Sequence, residues 1–292
     1  MRIDLHTHSD RSDGTDDPRA LMQRASEAGL HVVALTDHDT SDGWDDARSA
    51  AHDLDLGFVA GIEISCRHAG AGVHLLAYLV DPGYQPLRHE LERILAGRSS
   101  RLPATLGRLR KIGIELDAAD VRAVSEPAAA VGRPHVADAL VAKGVVANRD
   151  EAFDRYLAHG RPAYVDRYAA ELEDMVDMVE RAGGVTVIAH PWGRQSRSAL
   201  SADVLAGLTA RGLTGVEVDH QDHDVVARQE LREIADRLGL VATGASDFHG
   251  EGKLDCPLGC NLTAPDQLER LLVAAEQAAT RSGRAPPRAV LP

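Results

Sequence analysis

Ile3-Asp4-Leu5-His6-Thr7-His8 is a short extended run that ends in two histidines, and the same pattern returns at Val185-Thr186-Val187-Ile188-Ala189-His190. Valine, isoleucine and leucine in runs of this length read as strands buried on both faces. Further runs of the kind are Val32–Leu35, Phe58–Ile64, Val73–Val80, Gly215–Val218 and Leu240–Thr243. Between most of them lie segments of helical period: Pro18–Gly29, Trp44–Leu54, Glu171–Gly183, Ala202–Gly212 and Ala227–Gly239. Several close on glycine, which takes the left-handed turn at a helix end most readily. Strands alternating with helices imply parallel strands joined by helical crossovers. Seven such strands suit a closed α/β barrel better than an open sheet.

One stretch breaks this rhythm. From about Pro86 to Tyr168 no strand pattern stands out, and Leu87–Leu109, Pro134–Lys143 and Asn148–Leu157 read as helices. The expected division is a discontinuous barrel over residues 1–85 and 169–280, with a helical insert over 86–168 capping the site. Residues 281–292, which include Pro286-Pro287, are expected to be a loose tail.

Composition narrows the function. The formal net charge of −13 is unsuited to tight binding of long nucleic acid, which needs clustered Lys and Arg. Aromatics are 3% of the chain, so the core must rest on Leu, Val, Ile and Ala. Cys66, Cys256 and Cys260 do not make a disulfide framework. The pair in Cys256-Pro257-Leu258-Gly259-Cys260 lacks the second pair that a zinc site would need, so two partly buried loop thiols is the preferred reading. No apolar run is long enough to cross a membrane and the N-terminus is not a signal peptide, so a cytoplasmic location is expected. No obligate protein partner is evident.

The chemistry is carried by where histidines and acids fall. His6 and His8 follow the first strand, and Asp13 lies in Ser12-Asp13-Gly14. The second strand ends in Thr36-Asp37-His38-Asp39, and the third carries Glu63. His74 stands near the start of the fourth apolar run, His190 ends the fifth, and Ser246-Asp247-Phe248-His249 follows the seventh. Most of these are at carboxyl ends of strands, the rim where α/β barrels place active sites. Residues two apart on a strand point to one side, so His6 with His8, and Asp247 with His249, can grip one ion together. A single buried His or strand-end Asp has bland explanations, but the full set does not, because so many polar groups together need a charge partner. One zinc needs three or four ligands, so this set fits two or three divalent ions of Mn, Fe or Zn character. Such ions polarise a phosphoryl oxygen and acidify bound water.

Other residues are candidates for substrate contact. Gly132-Arg133-Pro134-His135 opens a helix, where backbone amides and the dipole favour an anion. Arg133 adds a bidentate fork and His135 a further donor. The competing reading is a proline-initiated helix with a surface arginine. His223, in the loop after the sixth strand, shares the rim and is a third substrate candidate, with His220 beside it. Arg194 and Arg197 are weaker ones. His31, His52, His68, His89 and His159 read as surface or structural.

Taken in order, His6-Thr7-His8, Ser12-Asp13-Gly14, Thr36-Asp37-His38-Asp39, Gly61-Ile62-Glu63, His74, Ala189-His190-Pro191 and Ser246-Asp247-Phe248-His249 resemble the PHP family, named for DNA polymerases and histidinol phosphatase. The resemblance covers nearly the whole chain. It implies a distorted (β/α)7 barrel and a metal-dependent phosphoesterase with a trinuclear centre, manganese foremost. It assigns His6, His8, Glu63 and Asp247 to one ion. Glu63 would bridge to a second ion held by His74 and His190, and Asp13, His38 and His249 would hold the third. The insert and the Arg133-Pro134-His135 segment resemble the branch that acts on nucleoside 3′,5′-bisphosphates and on short 5′-phosphorylated RNA. A histidinol-phosphate or other small-molecule phosphatase is the alternative within the family. A non-catalytic metal-binding regulatory protein is the alternative outside it.

Overall fold

The computed structural model describes residues 1–125, 128, 131–253 and 255–291, and of residues 194–196 the backbone only. Among the described residues one sheet carries eight strands: β1 (Ile3–Asp4), β2 (Val32–Leu35), β3 (Gly57–His68), β4 (Ala71–Tyr78), β5 (Ala170–Glu171), β6 (Val185–Ile188), β7 (Gly215–Asp219) and β8 (Val241–Gly244). Their order is β1-β2-β3-β4-β6-β7-β8, and β5 pairs with β3 off this path. A parallel bridge between Thr7 and Phe248 joins the two ends, with the His8 N–H donating to Phe248 O at 2.9 Å. The result is the expected α/β barrel of seven strands, nearly closed.

Helices α1 (Pro18–Glu27) and α2 (Trp44–Asp53) follow β1 and β2. Between β4 and β5 lie α3 (Gln85–Ser100), α4 (Leu102–Lys111), α5 (Ala118–Ala123), α6 (Arg133–Ala142) and α7 (Arg149–Ala152). Then α8 (Leu172–Arg181), α9 (Ala202–Ala210), α10 (Val225–Leu238) and α11 (Pro265–Ser282) complete the chain. Local chemistry sets the boundaries. The Asp17 carboxylate accepts the N–H groups of Arg19 and Ala20 and Pro18 follows, so α1 starts there. Gly239, at φ +70°, ends α10.

Strand side chains alternate between two cores. Val33, Leu35, Phe58, Ala77 and Ile188 meet helix residues such as Leu21, Ala47, Val176 and Leu231. Ile3, Leu5, Val32, Ala34, Val59, Leu76, Val187 and Val241 form the other cluster, which α11 joins through Leu268 and Leu271. Burial on both faces is why the strands read as unbroken apolar runs.

The structure differs from the sequence expectation in four places. First, β4 is antiparallel to both β3 and β6, with Ser65 opposite His74 and Leu75 opposite Ile188. Only Ala69 and Gly70 connect β3 to β4, both at positive φ (48° and 81°). That is a hairpin, too short for a crossover. Second, the expected helix Leu87–Leu109 is two helices, because Pro103 has no N–H to continue the ladder. Third, the separate insert core runs from Leu106 to Ala163, whereas Leu87, Leu91 and Ile94 of α3 belong to the barrel's outer core. The expected insert boundary at residue 86 is therefore too early. Fourth, the tail is tied down. Val290 forms an antiparallel bridge with Phe58, and Arg284 donates to Asp81 at 2.8 Å. No helix among the described residues is long and apolar enough to cross a membrane.

Candidate metal centre

The strand ends bring all nine sequence-selected ligand candidates into one buried cluster. His6 and His8 continue β1, His38 follows β2, Glu63 lies in β3 and His74 in β4. His190 follows β6, and Asp247 and His249 follow β8. Asp13 arrives on the loop before α1, in a turn so tight that a Cβ on Gly14 would come within 2.4 Å of His8 O. Asp39, His190 and Asp247 have positive φ (59°, 29° and 52°). Left-handed backbone at non-glycine residues costs energy and gathers at functional sites.

Glu63 is the centre of the arrangement. Its Oε2 lies 3.3 Å from His6 Nε2, 3.1 Å from His8 Nε2 and 3.0 Å from His38 Nδ1. Its Oε1 lies 2.8 Å from His74 Nδ1 and 3.2 Å from His190 Nε2. One carboxylate thus serves two sets of imidazoles, one oxygen each. Asp247 Oδ1 faces His6 and His8 at 3.4 and 3.3 Å. Asp13 lies 3.3 Å from His249 Nε2 and 3.6 Å from His38 Nε2.

Three overlapping groups have the spacing to hold an ion: His6, His8, Glu63 and Asp247; His8, Asp13, His38 and His249; and His38, Glu63 and His74. The donor set suits divalent transition metals. The fit has a second sign in the buried Nδ1 atoms of His38 and His74. They stand within reach of Glu63 yet make no hydrogen bond, which leaves donors directed at a common space. Burial alone would raise the pKa of Asp13, Glu63 and Asp247. The surrounding imidazoles, and Lys253 at Asp247, hold all three well below the usual carboxylate range. Three ionised carboxylates inside a barrel attract cations. Divalent cation such as Mn2+ at about 100 times its dissociation constant is expected to add about 2.7 kcal/mol of unfolding stability per site filled. Thermal unfolding with and without chelator measures this, and equal melting temperatures would refute it.

A second layer of side chains fixes the candidate ligands. Glu217, fully buried, lies 3.2 Å from His6 Nδ1 and accepts the His190 N–H at 2.8 Å. Burial would raise its pKa, but the His6 imidazole brings it down to about 2. A carboxylate–histidine pairing of this kind orients the ring, as it does for a histidine that binds a metal. Lys253 Nζ holds Asp247 Oδ2 at 2.7 Å, and buried His220 lies 3.5 Å from the same oxygen. Glu217 and Lys253 escaped the sequence reading. Glu217 left a signal, an acid inside an apolar strand; Lys253 left none.

Beside the cluster sits a group of arginines that sequence reasoning found only in part. Arg98 and Arg101 flank the α3–α4 break, both mostly buried. Arg98 donates to Asp39 Oδ2 at 2.7 Å and to Ser65 Oγ at 2.8 Å. Among the described residues Arg101 has no carboxylate in salt-bridge reach. Burial, then repulsion from Arg133, Arg167 and Arg98, pushes it down to about 8. Arg167 is pushed down to about 10 by burial and the same neighbours. Arg133 donates to Leu157 O at 3.1 Å and lies over the rings of Phe153 and Tyr164. Cations gathered and partly dehydrated in this way favour an anion.

The remaining candidates separate. His135 is buried, and its Nδ1 accepts the Gly132 N–H at 2.9 Å. In the neutral ring the proton is therefore on Nε2, and that helix-end amide is already used. His223 is buried: its Nδ1 donates to Val218 O at 2.9 Å and its Nε2 accepts the Trp192 N–H at 3.3 Å, so both ring nitrogens brace the rim loop. Arg197 stacks on Trp192 at 4.3 Å and pairs with Glu230, which engages it away from the cluster. Arg194 lies outside the described side chains. Cys256 and Cys260 are free thiols, and none of the ion-spaced groups includes them.

The chain is similar to known proteins over most of its length. Residues 4–99 match the PHP domain. The chain is 34% identical to a 3′,5′-nucleoside bisphosphate phosphatase of Chromobacterium violaceum, over 86% of this chain and 88% of the relative. It is 33% identical to a 5′-3′ exoribonuclease of Haemophilus influenzae, over 85% and 90%. A solved structure from Bifidobacterium adolescentis, of a protein proposed to be a metal-dependent phosphoesterase, superposes with a TM-score of 0.89 at 37% identity, covering 93% of this chain and 96% of that one. The ordered ligand motifs, the nearly closed seven-stranded barrel and these full-length likenesses agree, and the chain belongs to the PHP family.

Proposed function

We propose that this protein is a metal-dependent phosphoesterase that cleaves the bond between phosphorus and the ribose O3′. Its substrates are nucleoside 3′,5′-bisphosphates, such as adenosine 3′,5′-bisphosphate going to AMP and phosphate, and short 5′-phosphorylated RNA degraded from the 5′ end. The observation that carries this reading is the arginine group set beside a nine-residue ligand cluster, with Arg98 bound to Asp39, the neighbour of His38. A cluster of ions alone would serve any phosphate ester; a second cationic site beside it selects a substrate with two phosphates.

His6, His8, Asp13, His38, Glu63, His74, His190, Asp247 and His249 would hold two or three divalent ions, manganese foremost, with iron or zinc as alternatives. When bound, such ions neutralise charge on the phosphoryl oxygens and acidify water. The rest falls to the chain. Arg133 and His135, with Arg98 and Arg101 beside them, take the 5′-phosphate and orient the ribose. The barrel, with α3 packed on its outside, supplies the ligands, and the helices from α4 to α7 form a cap that supplies the anchor. In both substrates water adds to the same phosphorus and the proton ends on O3′. They differ only in whether that phosphorus carries another nucleoside.

Product analysis tests the reading. Mn2+-loaded protein is given adenosine 3′,5′-bisphosphate or a 5′-phosphorylated RNA trinucleotide, with and without chelator. AMP plus phosphate, or mononucleotides, formed only without chelator are the expected products. No product from either would redirect the assignment to a sugar or amino-alcohol phosphate. Arg133→Ala and His135→Ala are each expected to lower kcat/KM on 5′-phosphorylated substrates about 10- to 100-fold, the worth of a charge-assisted contact. Unchanged values would remove the anchoring role.

A further inference from the structure

The insert and the metal centre meet at Arg149. Its side chain, at the start of α7, is only 12% exposed. Nε and Nη2 fork onto both carboxylate oxygens of Asp138 on α6, at 2.6 and 2.7 Å. Nη1 donates to the backbone carbonyl of Asp13 at 3.1 Å. Gly252, in the turn after His249, packs against the same guanidinium, and a Cβ there would come within 2.3 Å of Nη1. One side chain therefore touches the backbone that carries Asp13, the turn that follows His249, and the helix whose first turn holds Arg133 and His135. Neither metal ligation nor phosphate anchoring uses it directly.

We propose that Arg149 is a positioning residue: with Asp138 it straps α6 to the Asp13–His249 side of the metal cluster, fixes the span between the two phosphate sites, and so sets selectivity for substrates with two phosphates. This rests on the anchoring role of the first turn of α6. A substrate held at two points needs both points at one separation, and an error of about 1 Å can cost up to about 100-fold in rate. The planar fork matters, because it meets Asp138 with two bonds and still has Nη1 for Asp13. A lysine ammonium is a point charge without that geometry.

The test compares wild-type protein with Arg149→Lys, Arg149→Met, Asp138→Asn and the double variant Arg149→Met/Asp138→Asn, all Mn2+-loaded. KM is measured for adenosine 3′,5′-bisphosphate and for adenosine 3′-phosphate, which lacks the anchor phosphate. Bound metal is measured by elemental analysis. Wild type is expected to favour the bisphosphate by about 10-fold or more in KM. Each variant is expected to raise KM for the bisphosphate by about 10-fold, with less than about twofold change for the monophosphate and full metal content. The double variant should be no worse than either single, as for partners in one strap. Variants that keep the wild-type preference would overturn the strap. A parallel loss of metal and of both activities would overturn it in favour of plain support of the ligand loop. A wild type without preference would overturn the anchor reading beneath it.

Discussion

Glu63→Gln is expected to lower kcat/KM on adenosine 3′,5′-bisphosphate by at least about 10³-fold and to cut the metal carried per chain. The reason is the division of labour between its oxygens. One faces His6, His8 and His38, the other His74 and His190, all within 3.3 Å. Glutamine keeps the shape but removes the charge and turns one acceptor into a donor. That NH2 then points at imidazole nitrogens arranged to face a cation. Whichever way the amide turns, one of the two sets of imidazoles loses the charged oxygen that faces it. Elemental analysis after dialysis, alongside steady-state kinetics, reads both effects. Full metal content with near-normal turnover would show that Glu63 bridges nothing.

Arg98→Met should give the largest loss of stability, about 3–5 kcal/mol, because it leaves a buried carboxylate without its partner. Asp39 is fully buried, and Arg98 is 6% exposed. The aspartate also accepts the Ser65 N–H at 2.6 Å and the Ser65 hydroxyl at 2.9 Å, but those neutral donors do not cancel its charge. Methionine fills much of the same volume, so the loss reports charge more than packing. Denaturant unfolding measures it. The paired change Arg98→Met/Asp39→Asn should recover part of the loss, since the amide removes the orphaned charge. A single variant as stable as wild type would mean that the ion pair contributes nothing net.

The barrel and its ligands were legible because each strand end carries its own signature. A run such as Val185–Ile188 cannot be solvent-exposed, and a histidine placed just past several such runs has to converge with the others if the strands are parallel. His74 is where that logic failed. It stands at the start of its run, which in a parallel strand would put it at the wrong end of the barrel. The hairpin at Ala69-Gly70 reverses β4, so the beginning of that strand lies where the others finish, and Ser65 pairs with His74. Two residues of turn decided this, against a pattern of crossovers everywhere else. The arginine group was hidden for another reason. Arg98, Arg101, Arg133 and Arg167 share no motif, and only the packing of α3, α4, α6 and the segment before β5 brings them together. His223 shows what sequence position leaves out: a rim loop also needs bracing, and backbone groups engage both of its ring nitrogens.

The junction of Thr7 with Phe248 carries a consequence for how the molecule is made. It joins the first strand of the barrel to the last, and the group of His6, His8, Glu63 and Asp247 brings together residues that follow both of those strands. Contacts so distant in sequence form late, after the entropy of closing a very long loop has been met. During synthesis every residue up to Asp247 must leave the ribosome before that carboxylate can reach His6. Until then the half-built barrel exposes an open edge at β1, the kind of surface that chaperones shield. Metal bound across that junction would act as a clasp on its two sides, so refolding yield should rise when the ion is present.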